Sequence, residues 1–153
     1  MIKITLPDGS VKEFAKNITP VEVAKSISEG LARNVISATF NETTVETNTP
    51  LTKDGSLVLH TFNDKGGKKA FWHSSAHVLA EAILTFHPNA KLTIGPAIEN
   101  GFYYDIDLGE ETISEKDFKD IEKKFLEIAR GKHEFKIREV SKADALSFYK
   151  KEN

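Results

Sequence analysis

The order of strand and helix patterns near the start of the chain is the feature that most constrains its fold. Ile2, Ile4 and Leu6 alternate with polar residues, which is typical of a strand with one buried face. A Pro7-Asp8-Gly9 turn follows, and residues 11–14 form a second short alternating segment. This part of the chain therefore predicts a β-hairpin.

A short helix is predicted next, because Thr19-Pro20-Val21-Glu22 combines an N-cap threonine, a proline at the first helical position and a glutamate that can return the capping hydrogen bond. We expect Gly30 to end this helix. Strand-like segments then follow at 35–40, 43–46 and 57–62. A hairpin, one crossing helix and further strands predict a mixed sheet of the β-grasp, or ubiquitin-like, type.

A polar, glycine-rich segment, Asn63-Asp64-Lys65-Gly66-Gly67-Lys68-Lys69, divides the chain. It lies between a predicted strand and a predicted helix that begins at about Ala70, and such composition is typical of a domain boundary. We therefore predict one domain over residues 1–62, a linker over 63–69 and a second domain over 70–153.

The second domain is predicted to be α+β, so the whole chain belongs to that class. One helix is expected over 70–86, and the capping box that starts at Ser114 heads another that ends at Gly131. A further capping box at Ser141 starts a last helix, for which the sequence offers no ending signal. We expect the chain to be a truncated part of a longer protein. Short strands are expected at 91–94, 101–107 and 135–140.

Composition narrows the functional classes. The chain has 153 residues, a net charge of -2 and no cysteine. Nucleic-acid binding would therefore need a local basic patch, and neither a disulfide nor a thiolate ligand is available. No apolar run approaches the roughly eighteen residues that span a bilayer, and the first residues do not resemble a signal peptide. We expect a cytoplasmic protein without membrane contact.

Two histidines four residues apart, His73 and His77, are the strongest chemical signal. Residues at this spacing project from one face of a helix, so both imidazoles can reach a single metal ion, water or substrate atom. Position 74 is serine, whereas the zinc-protease signature requires glutamate there. Glu81 continues the four-residue spacing, but we interpret it as a surface charge. On spacing alone, solvated or core-edge histidines are the alternative.

A second motif changes the interpretation of the histidines. Ile94-Gly95-Pro96 and Gly101-Phe102-Tyr103-Tyr104-Asp105 follow the histidine pair in a glycine-rich, aromatic segment. In this order, after the first turn motif, the motifs resemble the N-terminal part of bacterial threonyl-tRNA synthetases over the whole chain. The resemblance implies a TGS domain of β-grasp fold followed by the first part of the second, editing domain. Alanyl-tRNA synthetases are similar in the histidine pair but do not place a TGS domain before it.

The resemblance implies both the activity and the roles of particular residues. Such a ligase attaches threonine to tRNA(Thr) with ATP, and its editing domain hydrolyses mischarged seryl-tRNA(Thr). His73 and His77 match the family's editing histidines, which would position the attacking water and the terminal ribose. Tyr104 matches an aromatic residue that lines the editing pocket. Lys68 and Lys69 are our candidates for contact with the tRNA acceptor arm.

The resemblance also limits what this chain is expected to do alone. The family's Cys-x-x-x-His element has no counterpart among these residues. We therefore expect little or no activity from the isolated chain, and neither a metal nor another cofactor in it. ATP, Mg²⁺ and one Zn²⁺ would belong to the catalytic domain of the parent enzyme, which would also form the homodimer. The alternatives are a non-catalytic, RNA-binding or regulatory TGS module with inert histidines, and a separate metal hydrolase.

Overall fold

The computed structural model describes residues 1–133 and 138–152. Within them, nine strands and five helices confirm the α+β class. In chain order the elements are β1 (Ile2–Thr5), β2 (Val11–Phe14), α1 (Pro20–Ile27), α2 (Glu29–Asn34), β3 (Val35–Phe40), β4 (Thr43–Val45), β5 (Gly55–Thr61), α3 (Lys65–Phe86), β6 (Lys91–Leu92), β7 (Ala97–Ile98), β8 (Gly101–Phe102), β9 (Ile106–Asp107), α4 (Glu115–Arg130) and α5 (Lys142–Glu152).

The first five strands form one mixed sheet in the order β2-β1-β5-β3-β4. β1 runs antiparallel to β2 and parallel to β5, and β3 runs antiparallel to both β5 and β4. Because α1 and α2 connect β2 to β3, the predicted β-grasp arrangement is confirmed. Apolar side chains of the sheet, of α1 and of the segment between β4 and β5 form one buried core, which contains Ile2, Ile4, Val23, Ala38, Phe40, Leu51 and Leu57.

The start of α1 follows the predicted capping box. The Thr19 backbone N–H donates to the Glu22 carboxylate at 2.8 Å, and the Glu22 N–H donates to the Thr19 hydroxyl at 3.4 Å. The predicted end at Gly30 is wrong. Ser28 has extended backbone and ends α1, and its hydroxyl accepts from the Leu31 N–H at 3.0 Å. Ser28 therefore starts α2, and Gly30 lies inside that helix because the second N-cap was not recognised in the sequence.

The helix that carries the histidines begins at Lys65, five residues before the predicted start at Ala70. The Asp64 carboxylate accepts hydrogen bonds from the Thr61 backbone N–H at 2.7 Å and from its hydroxyl at 2.8 Å. A Cβ atom at Gly67 would lie only 1.9 Å from the Thr61 carbonyl oxygen. Glycine therefore permits close packing of the first helical turn on β5. The division of the chain into two domains stays a prediction.

After α3, the elements α4, β7 and β8 pack on this helix. α4 begins with the predicted capping box, in which the Ser114 N–H donates to the Asp117 carboxylate at 2.7 Å, and it ends before Gly131 as predicted. α3 and α4 share a second core that contains Ala82, Ile83, Ile121 and Ile128. Phe118 has the spacing of the buried face but is 52% exposed.

The strands of this region are shorter than predicted. β6 pairs with β9 and β7 pairs with β8, and each strand has two residues. Of the predicted strand at 135–140, residues 135–137 lie outside the described residues and 138–140 have no regular secondary structure. Among the described helices, none is both long and apolar enough to cross a bilayer.

Candidate active site

The two histidines of α3 lie side by side on its exposed face. The Nε2 atoms of His73 and His77 are 3.3 Å apart, which is close to hydrogen-bonding distance. Their ring centres are 4.7 Å apart and their planes meet at 77°. The helix is anchored in the protein by neighbouring side chains, since Ala76, Ala80 and Ala82 are buried. The four-residue spacing therefore brings two imidazole nitrogens to one place, as the sequence suggested.

A cavity of about 350 Å³ lies beside the histidine pair. Its walls are formed by residues of α3 and by two residues that follow it in the chain, namely His77, Ala80, Glu81, Leu84, Leu92 and Tyr104. Tyr104 and His77 thus line the same cavity. His73 is not among the residues that line it, but its ring lies beside that of His77. The arrangement offers an open pocket with an imidazole, a carboxylate and a phenol at its walls.

Backbone pairing holds Tyr104 at this cavity. The Asp105 N–H donates to the Ile94 carbonyl at 3.1 Å, and the Thr93 N–H donates to the Asp105 carbonyl at 3.2 Å. The Thr93 hydroxyl adds a hydrogen bond of 2.6 Å to the same carbonyl. Thr93 and Ile94 are therefore tied to Asp105, the residue after Tyr104, although these residues are not part of a long strand.

Four residues of α3 continue the same four-residue spacing, in the order Lys69, His73, His77 and Glu81. All four are exposed, so they form a polar row with a cation at one end and a carboxylate at the other. From the sequence we expect Glu81 to be a surface charge. It is exposed, but it also lines the cavity.

The two candidate RNA-binding lysines differ in their surroundings. Lys69 belongs to the polar row, whereas the Lys68 ammonium lies 5.9 Å from the centre of the Phe62 ring. Phe62 also contacts Phe71 and Trp72, so Lys68 stands beside an aromatic cluster at the start of α3. Only Lys69 is therefore aligned with the histidines.

Electrostatics favour a neutral histidine at the cavity. Although much of His77 is exposed, partial burial of its ring lowers its pKa, and the neighbouring His73 lowers the pKa further. Burial is the larger cause. Both effects disfavour the charged imidazolium, so His77 is neutral and able to accept a proton at pH 7.

An NMR titration should show this shift directly. We expect the ring protons of His77 to titrate with a midpoint below the ordinary value of 6.5. In His73→Ala the midpoint should rise, because one of the two causes is removed, but it should stay below 6.5 because burial persists. A midpoint at or above 6.5 in the unmodified chain would contradict the assignment of a neutral base.

The described residues contain no group of three or more His, Cys, Asp or Glu side chains that could hold a metal ion. Zinc sites in proteins use three or four protein ligands. The histidine pair with Glu81 at the next position of the row does not meet that geometry. The imidazoles and the Tyr104 phenol can hold or transfer protons and can position a bound group.

Sequence comparison relates the chain to known proteins. Residues 2–61 match the TGS domain family. Over 150 residues, or 98% of its length, the chain is 66% identical to the threonine–tRNA ligase of Flavobacterium johnsoniae and covers 23% of that protein. With the same coverage, the identity is 67% to the ligase of Flavobacterium psychrophilum and 48% to that of Desulfatibacillum aliphaticivorans.

The chain spans about a quarter of the length of these relatives. The match extends well past the TGS domain and includes α3, the cavity and α4. Residues 2–61 therefore belong to the TGS domain family, and nearly the whole chain is similar to about a quarter of the length of threonine–tRNA ligases.

Proposed function

We propose that this chain is the N-terminal region of a threonine–tRNA ligase and contributes hydrolytic editing of seryl-tRNA(Thr) and binding of the tRNA acceptor arm. The observation that carries the editing proposal is the histidine pair, with Nε2 atoms 3.3 Å apart, at the edge of a cavity that His77 shares with Tyr104. The cavity gives an acyl group a place to bind next to the imidazole of His77.

Editing is needed because a site that selects threonine cannot exclude serine sufficiently by binding alone. Serine keeps the hydroxyl of threonine and lacks only a methyl group, and one missing methylene is worth about 10- to 200-fold in discrimination. A second site that accepts only the smaller residue removes the remaining errors by hydrolysis. The cavity beside His77 is the place where we expect the seryl group to bind.

The proposed steps use the two imidazoles. A water molecule attacks the ester carbonyl, and the bond from that carbon to the ribose oxygen breaks. The proton of the water passes to a neutral imidazole, and the departing ribose oxygen takes up a proton from the pair. Because the Nε2 atoms are close enough to share one proton, either ring can stabilise the charge that the other acquires.

The other activities of the whole ligase are part of the same proposal. We infer that the ligase joins threonine to tRNA(Thr) with ATP and Mg²⁺ in a catalytic domain outside this chain, with one Zn²⁺ for amino-acid selection. That domain would also form the homodimer, and the ligase would act in the cytoplasm. We expect little or no editing by the 153-residue chain alone, because the Cys-x-x-x-His element of the family is not among its residues.

Binding of the acceptor arm is proposed to use Lys69 and, to a smaller extent, Lys68. In a salt titration with tRNA(Thr), we expect Lys69→Glu to reduce the slope of log affinity against log salt by about 0.7 to 0.9, the value for one lost phosphate contact. Lys68→Glu should have a smaller effect, since that ammonium lies over the Phe62 ring. Lys123→Glu, an exposed change on α4, is the matched control. An unchanged slope in Lys69→Glu would remove this patch from the proposal.

A charging reaction tests the editing proposal. When the complete ligase is supplied with ATP, serine and tRNA(Thr), we expect seryl-tRNA(Thr) to accumulate with His73→Ala but not with the unmodified enzyme. His133→Ala is the matched control, because His133 is an exposed histidine outside the pair. Equal accumulation in all three enzymes would instead support the alternative, an RNA-binding TGS module with inert histidines.

The zinc content of the purified chain distinguishes the third possibility, a separate metal hydrolase, from the other two. Stoichiometric, tightly bound zinc in the purified 153-residue chain would favour a separate metal hydrolase. We expect none, since the described residues do not offer a three-ligand site.

A further inference from the structure

Gly95 lies directly against the ring of Tyr104. A Cβ atom added at Gly95 would be 2.3 Å from Cδ2 and 2.5 Å from Cε2 of that ring, and 3.1 Å from the Cβ of Ala76. Separations below 3.0 Å do not occur for real Cβ atoms, so something would have to move. The backbone of Gly95 is not in the left-handed region. Space, and not backbone conformation, therefore requires glycine here.

The neighbourhood leaves the ring as the part that must move. The segment of Gly95 is tied to that of Tyr104 by the hydrogen bond from Asp105 to Ile94 and by the two from Thr93. On the other side, Ala76 is 1% exposed and lies in the middle of α3. Because both backbones are held, an added methyl group would displace the aromatic ring from the surface of Gly95.

We propose that Gly95 is a positioning residue that sets the wall of the acyl pocket through the Tyr104 ring. This inference rests on the proposed editing function. The ring lines the cavity together with His77, so its location decides how much room an acyl group has beside the imidazole. The absence of a side chain at position 95 allows the Cδ2–Cε2 edge of the ring to lie against the Gly95 backbone and leaves room for a small hydroxy acyl group.

Gly95→Ala in the complete ligase tests the inference. We expect the rate of seryl-tRNA(Thr) hydrolysis, as kcat/KM, to fall by about 10- to 100-fold, since a displacement of about 1 Å in a site can cost 100-fold. Gly30→Ala is the matched control, because the nearest atom to a Cβ at Gly30 is 3.9 Å away. An unchanged rate in Gly95→Ala would overturn the inference.

Double variants show whether Gly95 acts through the ring. In a Tyr104→Ala background, adding Gly95→Ala should change kcat/KM by less than about twofold, because the clash is gone. In a Tyr104→Phe background the full effect of Gly95→Ala should persist, since Cδ2 and Cε2 remain. If the losses from Gly95→Ala and Tyr104→Ala simply multiply, Gly95 does not work through Tyr104, and the inference is wrong.

Two further measurements separate this inference from folding and from the editing proposal. Ring-current shifts of the Gly95 Hα protons should be present in the unmodified chain and lost in Tyr104→Ala, which reports the contact without any activity. If Gly95→Ala does not fold, the Gly95→Ala/Tyr104→Ala variant should fold, and its failure to do so would contradict the steric argument. If His73→Ala hydrolyses seryl-tRNA(Thr) normally, the editing proposal fails, whereas the ring contact is still tested by NMR.

Discussion

Replacing Gly67 by alanine is expected to lower the free energy of unfolding by about 3 kcal/mol, near the upper end for forcing extra volume into a packed site. The added Cβ would lie 1.9 Å from the Thr61 carbonyl oxygen and 2.5 Å from its carbon. These are backbone atoms of β5, so no side-chain rotation can relieve the overlap. Either the first turn of α3 unwinds or the helix moves away from the sheet.

Urea unfolding of the 153-residue chain measures this loss of stability. The same substitution at two other glycines provides a comparison. At Gly66 an added Cβ would meet the His60 ring at 3.1 Å, which is tight but movable, so Gly66→Ala should cost less. Gly30→Ala should be neutral or stabilising by up to about 1 kcal/mol, because alanine favours the helix. Equal unfolding midpoints for Gly67→Ala and Gly30→Ala would contradict the close packing of α3 on β5.

The second large effect is expected from the histidine pair. In single-turnover deacylation of seryl-tRNA(Thr) by the complete ligase, His73→Ala and His77→Ala should each lose about 100- to 10,000-fold in rate, the usual range for a positioned acid or base. Because the Nε2 atoms are only 3.3 Å apart, we expect the two rings to act as a unit. The double variant should therefore be about as slow as the slower single variant.

The controls for this prediction keep the same type of substitution. His133→Ala changes an exposed histidine beyond the end of α4 and should leave the rate unchanged. Multiplying losses in the double variant would show that the two imidazoles act independently. A full rate in either single variant would remove that histidine from the proposed mechanism.

Much of the TGS domain could be predicted from local sequence signals. The capping box at Thr19 fixes the start of α1, and the alternation from Ile2 places β1 with one buried face. The predicted end of α1 at Gly30 was wrong, because glycine often ends a helix but Ser28 ends this one earlier. Ser28 also caps the start of α2. Two competing local signals lay within three residues, and only the backbone of Ser28 distinguishes them.

The glycines at the start of α3 show a different limit of prediction from sequence. Gly66 and Gly67 have the composition of a flexible linker, yet they lie in a helix that packs on β5. A sequence pattern does not distinguish a glycine needed for flexibility from one needed for close approach, because the contact is with a residue fixed by the tertiary fold.

The candidate site also combines features that could be predicted from the sequence with features that could not. The spacing of His73 and His77 was sufficient to predict that their rings meet, since it depends only on helix geometry. The family resemblance, confirmed by the matches to threonine–tRNA ligases, added the chemistry expected of them. The contact between Gly95 and Tyr104 could not be predicted, because it joins two segments whose approach depends on packing against α3.

The most direct test of the central claim is the deacylation of preformed seryl-tRNA(Thr), compared between the complete ligase and its His73→Ala/His77→Ala variant. We predict rapid release of serine by the unmodified enzyme and a loss of about 100-fold or more in the variant. Equal rates in the two enzymes would show that the paired imidazoles do not hydrolyse the ester.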